Sequence, residues 1–572
     1  MVDFKDIIAS SIYDEALGLT ESEIKEMIEI PADESMGDFA FPCFKFAKVL
    51  RKAPQMIAAD IAAKIQGNEY FEKVEQVNAY VNFFISRSCF AGELVNEVNT
   101  LGQDYGKSDI GEGKTVIVEY SSPNIAKPFH IGHIRSTVIG NAIYNLYKEI
   151  GYNAIRINHL GDYGTQFGKM IVAYRKWGNE DDLKKNPIKS LLSYYTKFHV
   201  EAEEHPELND EARAAFAKLE AGEPEEVALW EKFREYSLAE FNRVYDMLGI
   251  TFDSYAGESF YSDKMPAVVD ELREKGLLKE SQGAHIVDLE PYGMTPAVIL
   301  KSDGSSLYAT RDIAAAIYRK KHYDFYKNIY VVASQQNLHF KQWKKILELM
   351  GYDWQDACVH VPFGLVSLEG GETLSTRKGN VVFLEDVLNN AVDKTRDIML
   401  EKNADNPELD EIAKAVGIGA VIFQELSNNR IKDYVFSWDK VLNFDGETGP
   451  YVQYTHARAC SVLRNASEED LAAIKDGKCD FTYLTSDSAY SLVKLLYRVP
   501  EVIVDSAEKY EPSILTRHLI DIAQSFNKFY HDEHILVDNT DEKRAKLALV
   551  QASRTVIANC LALLGIKAPE RM

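Results

Sequence analysis

The chain has 572 residues, 46% of them hydrophobic, which is more than a single core uses and sets an expectation of roughly two to four domains. With 64 Lys+Arg against 88 Asp+Glu the net charge is −24, which excludes a generic polyanion binder yet leaves room for a local basic groove inside an acidic envelope. No apolar run approaches the ~18 residues of a membrane helix, and the N-terminal "MVDFKDIIASSIYDEALG" lacks a leader pattern, so a cytoplasmic protein is expected.

The six cysteines, Cys43, Cys89, Cys358, Cys460, Cys479 and Cys560, have no C-x-x-C spacing; they are expected to be reduced, with neither a disulfide frame nor a metal site among them. Residues 1–110 mix helical periods with "AYVNFFIS", which alternates like a strand. They close on "LGQDYGKSDIGEGKT", whose polar, glycine-containing composition reads as a linker. From 111 the texture becomes α/β. "TVIVEY" is a buried strand; Ile134, Val138, Ile139, Ala142, Ile143, Leu146 and Ile150 then share one helical face, and "YNAIRINHL" is a second strand. Strand, helix, strand is a parallel crossover unit. A charged helical stretch at about 175–245 reads as an insertion. "AVILKSDGSSLYAT" carries an Asp303-Gly304 turn between strand-like runs, a hairpin signal, and "NIYVVAS" and "HVPFGLV" are further apolar strands. From 441 strand signals fade into amphipathic helices such as "SILTRHLIDIAQSFNKFY".

Ligands of an open parallel sheet gather at the carboxyl ends of its strands, where helix N-termini also point. The polar clusters "SSPNIAKPFHIGH", "NHLGDYGTQFG", "SQQNLHF" and "SLEGGETLSTRKGN" fall at four such ends, which makes one composite site. His130 and His133 stand at a helix start, where spare N–H groups favour phosphate oxygens, and Gly132 allows a flat nucleotide close to the backbone. The same pair could instead cap a buried helix. A chance H-x-G-H in this composition is expected ~0.02 times.

"HIGH" at 130–133 matches the first signature of class I aminoacyl-tRNA synthetases, and "SSPNIAKPFHIGHIRST" resembles the arginyl-tRNA synthetase version. "NHLGDYGTQFG", "GESFY", "SDGSSLYATRDIAAA", "STRKGN", "TGPYVQYTHARA" and "LALLGIKAPERM" are similar to that family in the same order, so the resemblance spans essentially the whole chain. It implies a Rossmann-type parallel-sheet catalytic domain at 111–440. An α+β N-terminal domain at 1–110 would touch the tRNA elbow, and an all-helical anticodon-binding domain would fill 441–572.

The implied reaction ligates L-arginine to its tRNA through an arginyl-adenylate, with ATP as substrate, Mg²⁺ assisting and activation requiring bound tRNA. A monomer is expected. By resemblance Glu258 and Asp312 hold the guanidinium, with Tyr308 beside them. Ser122, Asn124 and Gln336 fix the amino end, with Glu119 close by. Paired carboxylates suit a guanidinium because it offers planar, forked donors. The catalytic set is Lys127, His130, Gly132, His133, Ser375, Arg377 and Lys378, in which the two histidines and the basic loop are expected to neutralise phosphate charge. Tyr451, Tyr454, Arg458, Tyr530 and Met572 match positions that read the anticodon; helical tyrosines are otherwise usually core.

One departure stands out. Aligned on the usual K-M-S-K-S, the second signature has Thr373 and Thr376 where lysines belong, so the resemblance implies that Lys127 substitutes, with Lys378 as the competitor. The rival readings are a class I synthetase for another amino acid and a synthetase-derived tRNA-binding or regulatory protein. Asp312 in "YATRDIAAA" weighs against the first. The intact Glu119, His130, His133 and Asp312 weigh against the second.

Overall fold

The computed structural model describes residues 3–302, 308–368, 382–402, 407–443 and 446–572. The N-terminal sheet has the order β1 (Phe39–Pro42), β3 (Tyr80–Ile85), β2 (Phe71–Val77), all antiparallel. The alternation in "AYVNFFIS" puts Val81, Phe83 and Ile85 inside. This unit docks on the C-terminal helices. The Phe4 ring lies 4.5 Å from Phe90 and 5.8 Å from Tyr497, and Asn99 Nδ2 donates to Ala548 O at 3.1 Å.

The stretch after Leu101 is turn-rich, as its composition requires, but it is not a loose linker. Tyr105 is buried with its hydroxyl on Leu496 O at 2.9 Å, and the amides of Gly111 and Gly113 donate to Ile150 O and Gly151 O at 2.8 and 2.9 Å. Its glycines and short polar side chains let the backbone bond directly to the end of the helix Ile134–Glu149.

That helix joins β4 (Thr115–Glu119) to β5 (Asn153–Ile157), which pair in parallel. All seven apolar positions assigned to its inner face are buried. Gly140 permits the close approach, since a Cβ there would lie 2.2 Å from the Tyr120 side chain. The inserted region forms the helices Glu180–Lys185, Pro187–Glu204, Glu207–Glu220 and Pro224–Leu248.

Next comes an antiparallel trio, β6 (Leu278–Ser281), β7 (Ala284–Val287) and β8 (Ala297–Leu300). Here the expected hairpin is corrected. Asp303 and Gly304 lie outside the described residues, and Tyr308–Tyr323 is a helix, as its alanines and long straight-chain residues prefer. The two-residue turn is one connection earlier, where Gln282 and Gly283 at φ 52° and 78° join β6 to β7.

The parallel sheet is completed by β9 (Lys327–Ala333) and β10 (Cys358–Phe363), giving the order β10-β9-β4-β5. "HVPFGLV" is not one strand. At Gly364, where a Cβ would lie 2.6 Å from the Lys432 carbonyl carbon, the chain leaves for β11 (Val366–Leu368), which pairs in parallel with β12 (Tyr434–Phe436).

The remainder is helical. The helix Leu409–Ser427 precedes residue 441 yet packs into this bundle: Gln453 Nε2 donates to Ala415 O at 3.1 Å, and a Cβ on Gly449 would meet Phe423 at 2.9 Å. All six cysteines are free, with Cys43, Cys358, Cys460 and Cys560 buried. Among the described residues no helix is long and apolar enough to cross a membrane.

Candidate active site

The carboxyl ends of β4, β5 and β9 meet in one region. Beyond β4 the chain enters an unusual conformation, with Ser121, Ser122 and Ala126 at φ 68°, 47° and 60°. Left-handed backbone at a residue with a Cβ costs on the order of 1–3 kcal/mol each and persists only where its surroundings enforce it. From the helix Ile134–Glu149, Ser136 Oγ accepts the Ser121 amide at 3.0 Å and itself bonds to Val331 O at 2.8 Å, while Thr137 Oγ1 lies 2.9 Å from Ser121 Oγ. Asn124 and Gly161 then zip the loops after β4 and β5 together: the Ile125 amide donates to Gly161 O and the Gly161 amide to Pro123 O, both at 3.1 Å. A Cβ on Gly161 would fall 2.3 Å from Asn124 Oδ1, so the glycine is required there.

His130 and His133 form a reciprocal pair with ring centres 4.0 Å apart. The Gly132 amide donates to His130 Nδ1 and the His130 amide to His133 Nδ1, each at 3.1 Å. His130 Nδ1 therefore accepts and its proton sits on Nε2, whereas His133 Nδ1 also lies 3.3 Å from His130 O, and the tautomer that accepts the His130 amide is the one that leaves its Nε2–H free to donate. Burial pushes His130 down to about 4 and His133 to about 3; the Lys127 charge adds to both, as does His130 on His133. Before any phosphate binds, burial therefore favours the uncharged imidazoles near neutral pH, so both rings start as neutral hydrogen-bonding groups rather than preformed cations. Gly132 is not left-handed, so its glycine is not a demand of its own backbone.

Ser375, Arg377 and Lys378 lie outside the described residues, as do Thr373 and Thr376. The chain that follows them is fastened to the first signature: the Ile131 amide donates to Val382 O at 3.1 Å and the Leu384 amide to Phe129 O at 2.9 Å.

At the other side of the region, Glu258 opens the turn Glu258–Lys264, with its amide on Leu160 O at 2.9 Å. Asp312 comes from the helix Tyr308–Tyr323. The two carboxylates feel one another: burial pushes Glu258 up to about 7, with Asp312 and Asp162 adding and the Arg311 guanidinium opposing. Each already has a basic partner that the sequence reading did not single out. Arg311 Nη1 is 3.0 Å from Glu258 Oε1, and His339 Nε2 is 2.5 Å from Asp312 Oδ2. Burial works against the Asp312 charge, but the His339 bond together with the charges of His339, His159 and Arg311 holds the carboxyl below its ordinary value; reciprocally, His339 is raised.

Tyr308 is exposed at the helix start, 5.7 Å from the Arg311 guanidinium, and Gln336 is exposed beyond the end of β9. Glu119, at the end of β4, is 2.5 Å from the fully buried Arg319, a pairing that ties the Tyr308–Tyr323 helix to β4. No spacing rule reveals Arg311, Arg319 or His339, because each meets its acid across the fold.

A second concavity, of about 920 Å³, lies on the helical bundle and is lined by Tyr454, Arg458, Tyr530 and Met572. The Arg458 guanidinium sits over both rings, 4.9 Å from Tyr454 and 5.2 Å from Tyr530. The C-terminal segment is strapped to the helix Gly449–Arg464 by His456 Nδ1 on Pro569 O at 2.9 Å and Arg464 Nη1 on Glu570 O at 3.0 Å, which brings Met572 to the rim. Tyr451 stands behind this group; Asn527 donates to its hydroxyl at 3.0 Å and also accepts from Arg458.

Comparison with known proteins agrees with this arrangement. The family model described as "tRNA synthetases class I (R), catalytic domain" matches residues 95–438, the "Arginyl tRNA synthetase N terminal domain" matches 3–85, and the "DALR anticodon binding domain" matches 452–572. The arginine–tRNA ligases of Halothermothrix orenii and Clostridioides difficile are 59% and 58% identical to the chain over 572 residues, covering 100% of each chain. The solved arginyl-tRNA synthetase of Thermus thermophilus superposes with a TM-score of 0.80 at 25% identity, covering 100% of both chains. That of Plasmodium falciparum gives 0.77 at 25% identity, over 100% of this chain and 98% of its own. With family models covering most of its length and relatives of this similarity from end to end, the chain belongs to the class I arginyl-tRNA synthetases.

Proposed function

We propose that the protein ligates L-arginine to its tRNA in two displacements. The arginine carboxylate attacks the α-phosphorus of ATP and expels pyrophosphate; a terminal ribose hydroxyl of the tRNA then attacks the adenylate carbonyl and releases AMP. The observation that carries this reading is the placement of two donor imidazoles and two interacting carboxylates around the same strand ends. Glu258 and Asp312 select the guanidinium, Ser122, Asn124 and Gln336 orient the amino end, and the Nε2–H groups of His130 and His133 bind phosphate oxygens beside Lys127.

Mg²⁺ would come with the ATP phosphates and, when bound, would supply charge neutralisation there. Residues 1–110, 111–440 and 441–572 serve as elbow-binding, catalytic and anticodon-binding units, and one chain supplies every group of the site, so a monomer suffices. The direct test is ATP–pyrophosphate exchange with each amino acid in the presence of tRNA. Arginine alone is expected to support it; exchange with another amino acid, or none at all, would refute the assignment.

Arginine binding is expected to depend on pH. Glu258 lies near 7 without substrate, and an adjacent guanidinium favours its ionised form, so binding drives its proton off. His339, raised by Asp312, is the substrate's competitor for that carboxylate when it is protonated. Both effects have one sign: the arginine KM rises as pH falls from 8 to 6. A His339→Gln variant, which keeps a donor but no charge, is expected to show a shallower rise; identical profiles would remove His339 from the site.

In the helical bundle, Tyr454→Ala removes a stacking surface, and a stacked base contributes ~1–3 kcal/mol. The tRNA affinity is expected to fall about five- to a hundredfold in a binding titration, while the arginine KM at saturating tRNA is unchanged. Unaltered tRNA affinity would return Tyr454 to a structural role.

A further inference from the structure

The longest helix of the inserted region, Pro224–Leu248, turns a stripe of five side chains toward the site: Trp230, Arg234, Ser237, Phe241 and Tyr245, spaced by three and four residues along one face. From first to last they extend about 22 Å along the helix.

The N-terminal half of the stripe holds the Glu258 turn. Trp230 Nε1 donates to Asp162 O at 2.7 Å and Arg234 Nε to Asp162 Oδ2 at 3.1 Å. The Asp162 carboxylate in turn accepts the Ser259 amide at 2.8 Å and the Ser259 hydroxyl at 2.9 Å.

The C-terminal half holds the left-handed loop and the approach to the first signature. Ser237 Oγ accepts the Ala126 amide at 3.0 Å while donating to Phe233 O at 2.7 Å. Phe241 and Tyr245 place their rings 5.4 and 5.5 Å from Phe129, next to His130. The Tyr245 hydroxyl is 2.8 Å from Ser121 Oγ and accepts from Asn158 Nδ2 at 3.0 Å.

Ser237 and Tyr245 are buried, and buried polar groups are kept satisfied only by fixed geometry. Two of the three left-handed residues, Ser121 and Ala126, are the ones this helix grips. We propose that the Trp230–Tyr245 stripe is a positioning element of the ligation site, which sets the phosphate-side loop against the guanidinium-side turn. The inserted helix thus acts as a ruler between two half-sites rather than as an appendage. Its five side chains are positioning residues, acting through the 121–129 loop and through Asp162 and Ser259.

The proposal rests on the assignment of Lys127, His130 and His133 to ATP and of Glu258 to arginine. Ser237→Ala frees the loop amide of Ala126, and Arg234→Met frees the Asp162 carboxylate. Phe233→Leu serves as a control: Phe233 is equally buried on this helix, but its ring packs on Tyr174, 5.6 Å away. All three are assayed by arginine-dependent exchange at saturating tRNA, with thermal midpoints.

Ser237→Ala is expected to lower kcat about tenfold or more with the arginine KM within about twofold, because a small misplacement of reacting groups is costly to rate. Arg234→Met is expected to raise the arginine KM about fivefold or more at nearly unchanged kcat. Phe233→Leu is expected to lower the midpoint but neither parameter. Should Ser237→Ala not accumulate as folded protein, Tyr245→Phe keeps the ring on Phe129 and removes only the hydroxyl, with the same expected loss of kcat.

The idea is overturned if Phe233→Leu impairs rate as much at equal loss of midpoint, or if the variants at the two ends change the same parameter or none. A failure of the underlying assignments is distinguishable, because it shows in substitutions of Lys127 and Glu258 themselves.

Discussion

Asp312→Asn raises the arginine KM by roughly ten- to a hundredfold at saturating tRNA, with ATP binding little changed. Asparagine keeps the size of the side chain and one acceptor oxygen but removes the negative charge, and a hydrogen bond to a charged group contributes ~1.5–3 kcal/mol. The structure adds one reason for a loss at the upper end of that range. Glu258, still pushed up by burial once the Asp312 charge is gone, is an incomplete substitute for it, and Arg311 already claims it. His339, bonded to Asp312 at 2.5 Å, loses the partner that raises it and becomes easier to deprotonate. The same variant therefore flattens the His339 part of the pH profile. Steady-state exchange across pH 6–8 reads both effects, and an unchanged arginine KM in a folded Asp312→Asn protein would remove this carboxylate from the pocket.

The parts legible in the sequence are those whose signal is local. Buried parallel strands are continuous apolar runs, so "TVIVE" and "NIYVVA" announce β4 and β9, and the seven apolar residues of the helix Ile134–Glu149 repeat at helical spacing. The break at Gly364 was not legible, because it is enforced by Lys432 and Asp433 arriving from almost 70 positions away in the chain. The aspartate-glycine pair at 303–304 looks like a hairpin turn in isolation, but the run after it opens the helix Tyr308–Tyr323 rather than a strand.

The site divides in the same way. The H-x-G-H spacing exposes the two histidines, but their neutrality follows from burial and from amides that converge on both Nδ1 atoms, which no spacing reports. Glu119, Glu258 and Asp312 are recognisable as acids. Which cation each one meets is decided by three-dimensional packing, and that packing gives Glu119 a structural partner in Arg319 while leaving the other two on exchangeable partners.

The neutrality of the histidines sharpens the question of who supplies positive charge as pyrophosphate leaves. Two imidazoles that are neutral before phosphate binds would donate hydrogen bonds to it without bringing a full positive charge, and the second signature lacks its usual lysines at Thr373 and Thr376. Lys127 stands in the same loop, close enough that its charge depresses both imidazoles, and Ala126 just before it is fixed in a left-handed conformation that directs the chain here. Removing one preorganised donor from such a site costs ~2.7–4 kcal/mol, or about 10²–10³ in rate.

Lys127→Ala is therefore expected to lower kcat for aminoacylation at least about tenfold and up to that limit, with thermal midpoint and tRNA affinity near wild type; Lys378→Ala should do less. A second readout follows from the electrostatics: without Lys127 both imidazoles titrate at higher pH, because one of the forces holding them down is gone. A silent Lys127→Ala beside a crippling Lys378→Ala would mean that the "STRKGN" loop works through its own cations. Loss of rate at Lys127 together with the upward shift at His130 and His133 would identify one side chain as both the phosphate cation and a charge that adds to burial in holding its neighbours down.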